Sequence, residues 1–280
     1  MNDMPGTLTR PRARRDAPKS AMQQRRTLSF EKPAPHTGHR IVLYGPGGVG
    51  KTSLADIAPG PVASFDLDDS LAVLLPEHTQ RIAGVETWDD LRGVLNGDGW
   101  DDVKTVVIDS ATRAEELAVA WTIANVPHEK GNRIQRIEDY GYGKGYQHTY
   151  ETFLTLLGDL DRHVRVGRNV ILICHDCTTN VPNPQGEDWT RYEPRLQSPS
   201  SGKASIRLRV REWVDHVFFL GYDVDVKDGK GHGCGTRTLW PVEMPHCMAK
   251  SRRLSDPIPV YANDTAVWDT LFSEQKTEEK

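Results

Sequence analysis

The chain has 280 residues, 37% of them hydrophobic, and a formal net charge of −4 at pH 7. That length buries one substantial core, and the modest apolar content predicts sizeable polar loops or tails. The acid excess excludes a protein that coats nucleic acid by bulk charge alone. Four cysteines, Cys174, Cys177, Cys234 and Cys247, are too few for a secreted disulfide framework of this size. No apolar run reaches the roughly 18–20 residues of a membrane-spanning helix, and there is no signal-peptide core. A soluble protein of a reducing cytoplasm is expected.

Residues 1–37 are rich in Pro and Arg and lack apolar periodicity, which predicts a disordered basic tail, either solvated or an arm for nucleic acid or a partner. From Arg40 the texture changes. Ile41–Tyr44 reads as a buried strand, followed by a glycine-rich loop and a helix from Thr52 to Ile57, stopped by Pro59-Gly60. Val62–Phe65 is a second strand, ending in Asp66, Asp68 and Asp69. Thr87–Leu95 is a helix with Asn96-Gly97 as its stop. Val103–Ile108 is a third strand, ending in Asp109, and a helix follows over 112–124.

Tyr150, Phe153, Leu154, Leu157, Leu160 and Val164 recur at helical spacing and predict a helix laid on the sheet. Asn169–Cys174 is a fourth buried strand. Residues 176–203 contain prolines and little apolar content, which predicts a long loop, either functional or disordered. Ile206–Trp213 fits helix or strand. His216–Leu220 is a strand, joined by a turn at 228–231 to Thr236–Trp240 as a hairpin. A last helix over 262–272 precedes a charged tail, 274–280. The alternation predicts an α/β domain over 38–273 with a largely parallel central sheet and flanking helices.

Gly45-Pro46-Gly47-Gly48-Val49-Gly50-Lys51-Thr52 satisfies G-x-x-x-x-G-K-[ST] between a strand and a helix, with Ser53 next. Glycines let backbone N–H groups turn inward around a β-phosphate, and Lys51 reaches the β/γ oxygens. Thr52 offers a hydroxyl to Mg²⁺, and Asp109, closing an apolar strand, has the setting of the Walker B carboxylate. ATP and Mg²⁺ are the implied ligands.

Ring ATPases of the AAA+ type usually place a water-activating glutamate after the Walker B aspartate, where this chain has Ser110. The base must come from elsewhere, and Asp68 is placed to supply it, with Asp66 and Asp69 open as alternatives. The run Ala63–Asp68 and the run Val107-Ile-Asp109-Ser110 resemble the RecA-type recombinases. Val170–Asp176, with His175 at its strand end, resembles phage-encoded RecA-like nucleotide-binding proteins, as do Trp213–Leu220 and Ala249–Arg253. The resemblance spans roughly residues 40–260 and implies a RecA-like P-loop fold. It also implies an ATPase, some relatives being single-strand-annealing recombinases, acting in phage DNA recombination, annealing or replication within the host cytoplasm.

In this family His175 would sense the γ-phosphate, and Lys250 or Arg252 would reach the ATP of the next subunit in a ring or filament. The segment after the sensor would contact single-stranded DNA through Trp189, Arg191, Tyr192, Arg195 and Lys203. Its acids, Asp176, Glu187, Asp188 and Glu193, outnumber those bases. An ATP-dependent switch acting on a protein partner is therefore the alternative. The absence of an Asn/Thr-Lys-x-Asp motif argues against a GTPase, and Pro46 against a ParA-type ATPase. An Arg133–Lys144 lid would fit a small-molecule kinase. Cys174-x-x-Cys177 could be half of a zinc site completed by His232, Cys234, His246 or Cys247, although Cys174 inside an apolar strand suits core packing better.

Overall fold

A computed structural model describes residues 28–30, 38–200, 203–227 and 230–273. The chain divides into Met1–Ala34 and Pro35–Lys280. Of the first unit only residues 28–30 are described, and they are exposed. The expected tails, apart from those three residues, and part of the 228–231 turn lie outside the described residues.

The second unit runs β1 (Arg40–Tyr44), α1 (Lys51–Asp56), β2 (Val62–Asp66), α2 (Leu71–Leu74), β3 (Thr79–Arg81), α3 (Trp88–Leu95), β4 (Thr105–Asp109) and α4 (Ala111–Asn125). A 3₁₀ turn (Ile137–Tyr140) leads to α5 (Lys144–Arg165), β5 (Asn169–Cys174), β6 (Asp176–Val181), β7 (Trp189–Pro194) and α6 (Ile206–Trp213). The chain closes with β8 (His216–Lys227), β9 (Lys230–Trp240), β10 (Ile258–Pro259) and α7 (Ala266–Phe272).

Eight strands form one sheet in the order β10-β9-β8-β1-β5-β4-β2-β3. From β8 to β3 every neighbouring pair is parallel, and β9 and β10 add an antiparallel margin. This is the RecA-like P-loop arrangement, with the phosphate-loop strand β1 between β5 and β8. Because helices cover both faces, the central strands read as continuous apolar runs. On one face Val42, Phe65, Ile108 and Leu172 pack against Trp88 and Leu91 of α3, Ala114 and Ala118 of α4, and Phe153 and Leu160 of α5. On the other, Leu43, Val107 and Ile171 pack against Leu54 of α1 and Trp268 and Leu271 of α7.

Local chemistry fixes the helix starts. Thr87 and Asp90 form a reciprocal capping box on α3. The Ser110 side chain accepts the Arg113 N–H and caps α4. Ser110 thus holds a structural post where the ring ATPases carry a catalytic glutamate.

The segment 176–203 is not the open loop its composition predicts. Asp176–Val181 and Trp189–Pro194 pair as an antiparallel hairpin, a two-stranded sheet of its own. Its inner side is built from ion pairs: Arg191 and Arg207 both bind Glu193, and Arg191 also binds Glu243. The hairpin therefore carries no apolar periodicity to betray it.

Candidate functional site

The carboxyl ends of β1, β2, β4 and β5 bring the phosphate loop, Asp68, Asp109 and His175 together. Gly45–Gly50 cross from β1 to α1, with Gly45 (φ 155°) and Gly50 (φ 97°) both at positive φ. A Cβ on Gly45 would stand 2.0 Å from the Leu220 carbonyl oxygen, and one on Gly50 would stand 2.3 Å from Arg237 Nη1. Gly45 therefore requires glycine for its close approach to backbone, and Gly50 requires it for its left-handed conformation.

Lys51 is buried, and its Nζ donates to the carbonyls of Gly45 (2.8 Å) and Pro46 (2.9 Å). Burial lowers its pKa, countered by Asp109, Asp176, Cys174 and Asp68. Thr52 Oγ1 donates to Asp109 Oδ2 at 2.6 Å. Burial raises the Asp109 pKa, the Thr52 hydroxyl opposes this, and the negative charges of Asp68 and Asp66 add to the rise. An oxygen pair beside surplus carboxylate charge suits a hard divalent cation, so Thr52 and Asp109 fit the implied Mg²⁺.

The three acids after β2 have different surroundings. Asp66 accepts the backbone N–H groups of Ser70 and Leu71 and pairs with Arg81. Asp69 pairs with Arg81 at the surface. Asp68 instead lies with Oδ2 3.3 Å from Nε2 of His175. His175 continues outward through its backbone: its N–H donates to Thr112 Oγ1 (3.1 Å), and its carbonyl accepts from Arg195 N (2.8 Å) at the exit of β7.

Beside α1 lies a cavity of about 910 Å³ that includes Thr52, Ser53, Asp56, Leu74, Leu75, Gln80 and Asn263 in its lining. It was not legible beforehand, because α2 and β3, which wall it, are only four and three residues long.

Several expectations need correction. Lys250 is not a free finger: its Nζ donates to the carbonyls of Arg211 (2.9 Å) and Val214 (2.6 Å), closing the end of α6. Arg252, largely exposed, lies 3.4 Å from Asp215. Arg191 is 9% exposed and bound to Glu193 and Glu243, which removes it from any nucleic-acid surface. Tyr192 stacks on Phe219 at a centroid distance of 5.2 Å but keeps an exposed edge, while Trp189, Arg195 and Lys203 face solvent. Cys174 is fully buried, and no cluster of three metal-ligating side chains occurs among the described residues.

Residues 37–253 match the AAA domain family. The chain belongs to that family. The AAA domain here is a nucleotide-binding P-loop ATPase domain, and no helix among its described residues is long and apolar enough to cross a membrane. No curated protein matches the sequence. Among solved structures it resembles a KaiC-like protein from Pyrococcus horikoshii at 15% identity and a TM-score of 0.41, covering 80% of this chain and 85% of that one. The flagellar accessory protein FlaH from Methanocaldococcus jannaschii is similar at 12% identity and a TM-score of 0.34, covering 72% of this chain and 77% of that one.

Proposed function

We propose that this AAA domain binds ATP with Mg²⁺, hydrolyses it, and uses the nucleotide state to switch the β6–β7 hairpin. The observation that carries this reading is the meeting of Asp68 with His175 at 3.3 Å beside the Lys51–Thr52–Asp109 cluster. Lys51 would exchange the Gly45 and Pro46 carbonyls for phosphate oxygens, with the loop N–H groups around them. Thr52 and Asp109 would hold Mg²⁺, which when bound offsets phosphate charge. Asp68 would orient and deprotonate the attacking water. The cavity beside α1 would take the nucleoside against Leu74 and Leu75, with Gln80 and Asn263 as polar partners.

His175 would pass the state of the γ-phosphate outward, because its backbone is bonded to Thr112 and Arg195 at the base of the hairpin. Following the resemblance to phage-encoded RecA-like proteins, we assign the switch to DNA recombination, single-strand annealing or replication. Trp189 and Tyr192 would stack on bases, and Arg195, Lys203 and the basic segment 1–37 would meet phosphates. Arg252 is the remaining candidate to reach a neighbouring subunit in a ring or filament. A second reading, a switch on a protein partner, draws on the burial of Arg191 and the acids Asp176, Glu187 and Asp188.

Single-turnover hydrolysis tests the core of the proposal. Asp68→Asn should bind ATP as wild type does and lose hydrolysis by at least about a hundredfold, the usual scale for a general base. Wild-type hydrolysis by this variant contradicts the assignment.

A further inference from the structure

The β8–β9 hairpin sits against the phosphate loop in a way no motif announces. Tyr222 and Arg237 face each other across the ladder, at the last pairing before a register shift. The Tyr222 hydroxyl donates to the Gly48 carbonyl at 2.9 Å, and Arg237 Nη1 donates to the Val49 carbonyl at 2.9 Å. Two consecutive loop carbonyls are thereby pulled to the hairpin side. A peptide whose carbonyl points one way presents its N–H the other way, so the clamp sets the direction of the amides that follow Gly48 and Val49. Gly50 packs directly against the same guanidinium, and Gly45 against the Leu220 carbonyl of β8.

Charge adds to the geometry. Arg237 is half-buried, yet among the described residues no carboxylate lies within ion-pair distance of it. By contrast Arg92, Arg191 and Arg207 each have an acid. A half-buried cation without a counter-charge raises the potential of the loop it touches, which favours an anion there.

We propose that Arg237 and Tyr222 are positioning residues that hold the phosphate loop in its anion-receiving form, coupling nucleotide binding to the β8–β9 hairpin of the same chain. This rests on the nucleotide reading above. By linkage, a nucleotide that prefers the clamped loop also tightens the hairpin.

The test is calorimetric titration of Mg-ATP into wild type, Arg237→Ala, Arg237→Lys, Tyr222→Phe and Lys51→Ala, with amide exchange followed over 222–227 and 230–237. The clamp predicts affinity roughly tenfold weaker in Arg237→Ala and about threefold weaker in Tyr222→Phe, with Arg237→Lys between wild type and Ala. It also predicts that ATP slows exchange over 230–237 in wild type and not in Arg237→Ala, an effect that a merely structural arginine would not produce. If Arg237→Ala fails to fold, Tyr222→Phe decides, since it removes one hydroxyl from a half-exposed ring. Wild-type affinity in the folded clamp variants, with Lys51→Ala impaired, overturns the clamp alone. No binding of Mg-ATP by wild type overturns the nucleotide reading and the clamp together.

Discussion

Three neighbouring aspartates show how little a residue type says without its partners. Asp66, Asp68 and Asp69 are equivalent as a sequence cluster, but Asp66 is committed to the start of α2 and to Arg81, and Asp69 to Arg81. Only Asp68 faces His175. Replacing Asp66 with Asn should therefore lower thermal stability, since it removes a buried charge from its N–H donors and its arginine. Asp68→Asn should leave the thermal midpoint close to wild type and remove hydrolysis. Midpoint and single-turnover rate measured on both variants check this, and the opposite pattern would exchange their roles. Lys250 teaches the same lesson. Its surroundings in the chain, Lys250-Ser-Arg252-Arg253, suggest a basic finger, yet its ammonium closes the carboxyl end of α6.

At the scale of elements, the hairpin β6–β7 and the strand β8 make separate claims. If the hairpin holds single-stranded DNA, replacing Trp189 and Tyr192 with Ala should cost roughly 1–3 kcal/mol per lost base stack. The loss should be similar at every salt concentration, because stacking releases few counterions. Fluorescence titration with an oligonucleotide, with and without ATP, reads this out. Weak, ATP-independent binding by both proteins would favour the protein-partner switch.

On β8, His216 is fully buried, lies 3.0 Å from His39 and is bonded to Ser251. Burial pulls its pKa down to about 3, and His39, Arg252 and Arg253 act in the same direction while Asp215 opposes them. In the unfolded chain the group titrates near about 6.5. Between those values the unfolded state binds more protons, so stability falls as pH drops below about 6.5. Thermal midpoints from pH 7 to 4 should decline, and His216→Gln should flatten the decline. An unchanged profile in the variant would show that other groups set it.

For the whole molecule, the strands β1, β2, β4 and β5 were legible because parallel strands covered on both faces are written as apolar runs. The phosphate loop was legible because its glycines and lysine serve one geometry. What escaped reading lacked either signal. The hairpin β6–β7 is ordered by Arg191, Glu193 and Arg207, and Arg237 sits in a mostly exposed strand with no motif around it. The α2–β3 wall of the cavity is too short for periodicity. If Arg252 acts on a neighbour's nucleotide, mixing Lys51→Ala with Arg252→Ala should restore activity, since one mixed interface unites an intact loop with an intact arginine. Activity per chain that is independent of concentration, with no rescue on mixing, would indicate a self-sufficient monomer.

Every step proposed above depends on nucleotide binding at Gly45–Thr52. Its most direct test is Mg-ATP titration into wild type and Lys51→Ala under identical conditions. Lys51 is the buried cation of the loop, held by the Gly45 and Pro46 carbonyls and near Asp109 and Asp68. Wild type should bind saturably, and a folded Lys51→Ala protein should bind with an affinity lower by on the order of a hundredfold, the scale of lost charge-assisted hydrogen bonds. Equal affinity in the two folded proteins would contradict nucleotide binding at this loop.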